Sequence, residues 1–281
     1  MKLSVEEFRK WPHKAITLLG MSGIGKTTVG SVLPRNVWFH YSGDYRIGTR
    51  YLDEAILDHV KTRAMQHPEL RMMLQNDHIY LRNNIAIDNL EPLSNYLGKI
   101  GDPDQGGLSL HEFKRRQKLF CHAEQMAMND VPTFIDKGQS IYRYPHFLND
   151  AGGSICGLDD QTWDMLSEHT LILYLRADND LEQTLAERAR RYPKPLVYEE
   201  EFLDSALHTY LQENGISDIE SIEPDRFVQW VFPKLIDYRR PMYEAICEKY
   251  GYAVDARLVF ELKNEDDFLA MVCDVIGSSD P

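Results

Sequence analysis

Gly20, Gly25, Lys26 and Thr27 stand at the spacing G-x-x-x-x-G-K-[ST], inside the run GMSGIGKTT. That spacing suits a polyphosphate. Glycines let the backbone turn its N–H groups inward on an anion. A lysine placed like Lys26 reaches the β- and γ-phosphates, and a hydroxyl placed like that of Thr27 holds Mg²⁺. Ser22, Gly23 and Thr28 fill out the nucleotide-binding loop. The flanks are what such a loop needs. Ala15–Leu19 is an apolar run of strand length, and Lys26–Leu33 starts a helix that Pro34 stops.

Phosphoryl chemistry also needs an acid near the attacking hydroxyl and mobile cations near the γ-phosphate. A second strand is predicted at 36–41 (NVWFHY), and Ser42-Gly43-Asp44-Tyr45-Arg46 follows it. In a parallel α/β sheet, ligands lie at the carboxyl ends of strands. Asp44 is therefore the candidate to orient or deprotonate an acceptor hydroxyl. Arg46, and less directly Arg50, are candidates for an anionic group on the acceptor, because the guanidinium fork matches carboxylate or phosphate. A further strand at 146–150 ends in Asp150, a candidate to hold Mg²⁺ through water. Gly152 and Gly153 follow and let an acceptor lie against the backbone. A helix over 181–191 ends in Arg188, Arg190 and Arg191 before Pro193 and Pro195. Arg188 and Arg191 are candidates for the nucleotide phosphates, and Arg190 for solvent. Arg240 could stack on the adenine. Asp136 is assigned to a helix over Val131–Tyr142 with no chemistry, and His40 and His146 to the core or a sheet edge.

The whole chain narrows the classes. It has 281 residues and a formal net charge of −13, which disfavours a broad nucleic-acid or anionic-membrane surface. Cys121, Cys156, Cys247 and Cys273 have no CxxC or Cys/His pairing and read as core thiols. The start MKLSVEEFRK has no apolar signal-peptide core, and no run approaches a membrane span, so a cytoplasmic protein is expected.

The remaining elements are read from periodicity and turn residues. Residues 51–130 are expected to be a helical insertion over the carboxyl edge of the sheet. It includes a helix from Tyr51, a loop over 98–108, and a long helix that starts at the capping box Ser109-Leu110-His111-Glu112. The basic run Lys114, Arg115, Arg116 and Lys118 on it reads as a solvated face. Residues 186–235 are read as a lid with a second helical insertion. Separate helices are expected at 225–234 and 239–249, and a last helix at 265–276, capped by Asn264 and stopped at Gly277. Fraying is expected from Gly277 onward.

Taken in order, these motifs resemble the small-molecule P-loop kinases, the group of shikimate kinase, gluconate kinase and adenylylsulfate kinase. GMSGIGKTT is similar to their GxxGxGKT/S loop. SGDYRIG at 42–48 resembles the Gly-Asp-x-x-Arg segment of adenylylsulfate kinase, with one residue fewer between Asp44 and Arg46. NDAGGS at 149–154 is similar to the Gly-rich substrate loop of shikimate kinase, and ERARRYPKPLV at 187–197 to its arginine lid. RRPMYEAICEKYGYAVDA at 239–256 is similar to its Arg-x-Pro-x-Tyr helix and final strand. The chain departs from that pattern in its long 51–145 segment, its Gly-Gly-Ser loop and its second insertion.

The resemblance implies a single P-loop α/β/α domain over 1–281, with a parallel sheet of about five strands in the order 2-3-1-4-5. It also implies ATP and Mg²⁺ as cofactors, Lys26, Asp44 and Arg188 as catalytic residues, and a small anionic or polyhydroxylated acceptor. Two other readings stay open. One is a P-loop ATPase or nucleotide switch acting on a protein partner through the helical insertion. The other is a kinase of a macromolecular acceptor, which the acidic charge disfavours.

Overall fold

Five short apolar runs pair into one parallel sheet in the computed structural model, which describes residues 1–279. The strands are β1 (Ala15–Leu19), β2 (Trp38–Ser42), β3 (His146–Asp150), β4 (Leu171–Arg176) and β5 (Gly251–Asp255). Their order is β2-β3-β1-β4-β5. All five residues of β1 are buried, as a central strand covered on both faces by helices requires. The order reverses between β1 and β3, so the crevice of the fold opens at the carboxyl ends of those two strands. This sheet with helices on both sides, and a glycine loop between β1 and the helix Lys26–Val32, is the three-layer α/β fold of P-loop NTPases.

β2 lies one to two residues later than its aromatic run suggests, and Asp44 begins the turn that follows it, in the short helix Gly43–Arg46. A π turn over Ile47–Tyr51 comes next, with Leu52 N donating to Ile47 O at 2.8 Å. Only then does the helix Asp53–Ala64 start, rather than at Tyr51. Between residue 53 and β3 the chain forms further helices, among them Glu91–Leu97 and Leu110–Asn129, and contributes no strand to the sheet. Ser109 Oγ caps Leu110–Asn129 through Glu112 N, but the Glu112 carboxylate turns away to Arg115 and Arg116, so the capping box is half formed. Asp136 lies on the helix Val131–Ser140.

Two proline signals give way to burial. The chain from Pro224 to Tyr250 is one 27-residue helix that runs through Pro233 and Pro241. Phe227, Val231, Leu235, Tyr243 and Ile246 recur on one face and are all buried, and that apolar stripe outweighs two lost backbone hydrogen bonds. The first half of this helix packs with Glu200–Asn214, Phe113 and Ile100 in a second apolar cluster, separate from the core around the sheet. The second insertion is therefore built onto the first. The last helix also overruns its expected stop. It spans Glu265–Ser279, capped by Asn264 Oδ1 to Asp267 N at 2.9 Å, and Gly277 packs beside Val5 of the N-terminal helix. Of the segment expected to fray, Gly277 to Ser279 are helical and residues 280–281 lie outside the described residues. No described helix is long and apolar enough to cross a membrane. Cys121 is exposed, against the expectation of a core thiol.

Candidate active site

The loop after β1 turns on three positive-φ glycines, Gly20 (φ 146), Gly23 (φ 82) and Gly25 (φ 113). A side chain on Gly20 would stand 2.9 Å from the Leu175 carbonyl of β4, so the loop is held against the sheet edge. Lys26 follows and is only 7% exposed. Its ammonium donates to Gly20 O at 2.7 Å and Met21 O at 3.0 Å, inside the curve of the loop. Burial pushes its pKa down, opposed by the charges of Asp150, Asp44 and Glu124.

An open cleft of about 390 Å³ lies over this loop. It brings together Ser22, Gly23, Gly25, Lys26, Thr27, Thr28, Asp44, Asp150, Gly152, Gly153 and Arg188, from four separate stretches of the chain. Thr27 Oγ1 donates to Asp150 Oδ2 at 3.2 Å, so a hydroxyl and a carboxylate stand together at the mouth of the loop. Such hard oxygen donors fit Mg²⁺. Among the described residues, no three metal-ligating side chains converge to hold a metal by themselves. His40 reaches within 3.5 Å of Asp150 Oδ2 from β2, a contact that the assignment to core or edge did not foresee.

Asp44 faces the cleft, and its carboxylate makes no hydrogen bond to another described residue. Burial, and then the charge of Asp150, raise its pKa to about 6, with Lys26 opposing. Beside it stands a residue the sequence reading missed. Glu124, on the helix Leu110–Asn129, is 2% exposed and accepts a hydrogen bond from Ser154 Oγ at 2.5 Å. Burial raises its pKa to about 7, partly offset by that hydrogen bond and reinforced by Asp44. A Cβ on Gly152 would lie 2.7 Å from Glu124 Oε1 and 3.4 Å from Asp44 Oδ1, so a side chain there would have to displace the Glu124 carboxylate. A Cβ on Gly153 would lie 2.8 Å from Ser22 N, so this loop packs directly on the phosphate loop. Gly153→Ala is expected to cost about 1–3 kcal/mol by overpacking and to weaken ATP binding. Chemical denaturation and nucleotide titration of the variant check both effects.

Two arginines expected at ligands are engaged elsewhere. Arg46 bonds Asp130 through Nε and Nη2, both at 2.7 Å, and its guanidinium lies 4.9 Å from the Phe134 ring centre. It does not line the cleft, because a carboxylate of the fold already occupies its fork. Arg240 is tied to Glu182 and Asp237, at 2.6 and 3.0 Å, so its position does not support stacking on adenine. The exposed aromatic in the cleft is instead Phe260, packed beside Gly25. Arg116, read as part of a solvated face, is buried and bonds Glu112, His59 and the Tyr96 carbonyl. Arg50 and Arg191 are exposed and outside the cleft lining, while Arg188 reaches it beside Gly23. Arg239, the neighbour of Arg240, is buried and donates to Gly153 O, Val197 O and Glu199. Ile87 and Leu90, from the irregular stretch before Glu91–Leu97, add an apolar wall that no local signal announced.

The carboxyl pair gives stability a definite pH dependence. Both groups bind a proton more tightly when folded, at about 6 for Asp44 and about 7 for Glu124, than at their ordinary values of 3.8 and 4.5. Their contribution is full below the ordinary values and is lost as pH rises through the folded ones. The melting temperature of the ligand-free protein is expected to fall between about pH 4 and about pH 7 and to level off above it. Glu124→Gln should flatten part of that fall. Melting curves of both proteins across this range check it.

No protein-family model and no curated protein matches the sequence. Among solved structures, the crystal structure of shikimate kinase from Bacteroides thetaiotaomicron is similar at a TM-score of 0.39 and 14% identity, over 92% of this chain and 94% of that one.

Proposed function

We propose that the protein is an ATP-dependent phosphotransferase that moves the γ-phosphate to a hydroxyl of a small molecule. The observation that carries this reading is the shared cleft. It sets the lysine and glycines of a phosphate loop opposite a carboxylate, Asp44, that has no structural partner. An unbonded carboxylate beside a phosphate site suits a general base, and a pKa near 6 keeps it ionised at neutral pH.

In this reading the loop amides and Lys26 hold the β- and γ-phosphates. The Lys26 ammonium exchanges the Gly20 and Met21 carbonyls for phosphate oxygens. Thr27 and Asp150 would hold Mg²⁺, which neutralises phosphate charge when bound. Arg188 closes on the phosphates from the exposed helix Asn179–Arg191, and Phe260 offers a face for the base. Asp44 accepts the proton of the attacking hydroxyl, with Gly152 and Gly153 as the floor under the acceptor. Ile87 and Leu90 exclude water from that side. Incubating the protein with Mg·ATP and a metabolite library tests the reading. A mass gain of one phosphate on an organic hydroxyl is expected, and ATP hydrolysis with no modified metabolite would favour an ATPase.

A further inference from the structure

Resting on the reading of Thr27 and Asp150 as the Mg²⁺ site, we propose that His40 is a positioning residue for that site, fixing the Asp150 carboxylate by a hydrogen bond from its Nε2.

The imidazole is placed from two sides. His40 and Ser42 stand two apart on β2 and so share a face of the sheet, and Ser42 pairs with Asp150 of β3. The ring therefore lies directly behind the carboxylate. Its other side is the helix Lys26–Val32, which follows the phosphate loop and carries Gly30 in its interior. Glycine weakens a helix there, and Gly30 is not among the positive-φ glycines that need its conformational freedom. What it supplies is room. A Cβ at Gly30 would lie 2.6 Å from His40 Cε1 and 3.1 Å from each ring nitrogen, so the imidazole is seated where that side chain would stand.

This seat brings Nε2 to Asp150. The atom is buried and makes no hydrogen bond among the described residues, and Asp150 Oδ2 stands 3.5 Å away. That spacing is just beyond hydrogen-bond length, and a small turn of either side chain closes it. A buried polar atom without a partner is costly, so the contact is favoured. Nε2 can carry a hydrogen in the neutral ring, and the role calls for no change of charge. Oδ2 also accepts from Thr27 Oγ1 at 3.2 Å, while Oδ1 accepts from no described residue. Two donors on one oxygen fix the carboxylate plane and leave Oδ1 for the waters of the ion. His40 does not line the cleft, so it acts through Asp150 and not as a ligand. Outer partners of this kind raise metal affinity by holding a ligand in place.

The test titrates Mn²⁺, an ion visible by electron paramagnetic resonance, into the whole protein holding the non-hydrolysable ATP analogue AMP-PNP. AMP-PNP affinity and melting curves are measured separately in EDTA. His40→Leu fills the place of the ring without a donor, and its Mn²⁺ affinity is expected to fall about 10–100-fold. Its AMP-PNP affinity in EDTA should not move. His40→Gln keeps an amide donor and should restore most of the Mn²⁺ affinity. Gly30→Ala pushes the ring from its seat and should lose affinity as His40→Leu does. The contrast between His40→Gln and Gly30→Ala stands even where His40→Leu does not fold. Unchanged Mn²⁺ affinity in His40→Leu or Gly30→Ala, or a His40→Gln protein as weak as His40→Leu, would overturn the proposal. So would metal-free AMP-PNP affinity that falls in step, the mark of a merely structural role. AMP-PNP that binds the parent protein without recruiting Mn²⁺ would overturn the metal-site reading, and AMP-PNP that does not bind would overturn the phosphotransferase reading beneath both.

Discussion

Lys26→Ala is expected to lower ATP turnover by about 10²–10³-fold, the scale on which a preorganised donor to transferring charge acts. The buried position of Lys26 sharpens this prediction. Its ammonium is already inside the loop, bonded to Gly20 and Met21 carbonyls, and needs only a short swing to meet phosphate oxygens. Its burial also complicates the stability side. Removing it leaves two carbonyls to water and takes a positive charge from among Asp150, Asp44 and Glu124. It also removes a desolvated cation, whose pKa is lowered by burial. The two effects oppose each other, so the variant should stay folded with a change of about 1 kcal/mol in either direction. Turnover, nucleotide affinity and a denaturation curve measured together separate lost chemistry from lost structure. Unchanged turnover in a folded Lys26→Ala protein would remove the phosphate-loop argument.

Asp44→Asn is expected to bind ATP about as well as the parent while transfer to the acceptor falls by about 10²–10⁴-fold. Asp44 makes no structural hydrogen bond, so the isosteric amide should cost the fold little. The parent's transfer rate should rise with pH through about 6 as Asp44 ionises, and the variant should lose that rise. A switch ATPase predicts another pattern, in which an acid here orients water and hydrolysis falls most. Lost ATP affinity without a selective transfer defect would make Asp44 a metal-linked or structural residue.

What the sequence announced was local. Glycine spacing and short apolar or aromatic runs specify the phosphate loop and strands β1, β2 and β3, because each signal sits within a few residues of the structure it makes. The same locality explains Asp150, which ends β3, and Asp44, which stands two residues past the end of β2 in the helical turn Gly43–Arg46. Long-range pairing was not legible. Arg46 is bonded to a carboxylate 84 positions away, and nothing near Arg46 signals that Asp130 claims it. Glu124 reads as one polar residue on a long helix until that helix packs on the Gly152 loop, 30 positions from its partner Ser154. The prolines at 233 and 241 are strong local breakers, overruled by a buried stripe that only tertiary packing supplies.

The most direct test of the central claim follows the γ-phosphorus itself. ATP labelled with oxygen-18 in the γ-phosphate is incubated with the protein, Mg²⁺ and the metabolite library, and the labelled phosphate is traced by phosphorus NMR. The account predicts a phosphate ester on an organic hydroxyl, formed in step with ADP and dependent on the acceptor. Label found only in inorganic phosphate, released at a rate that acceptors do not change, would contradict it.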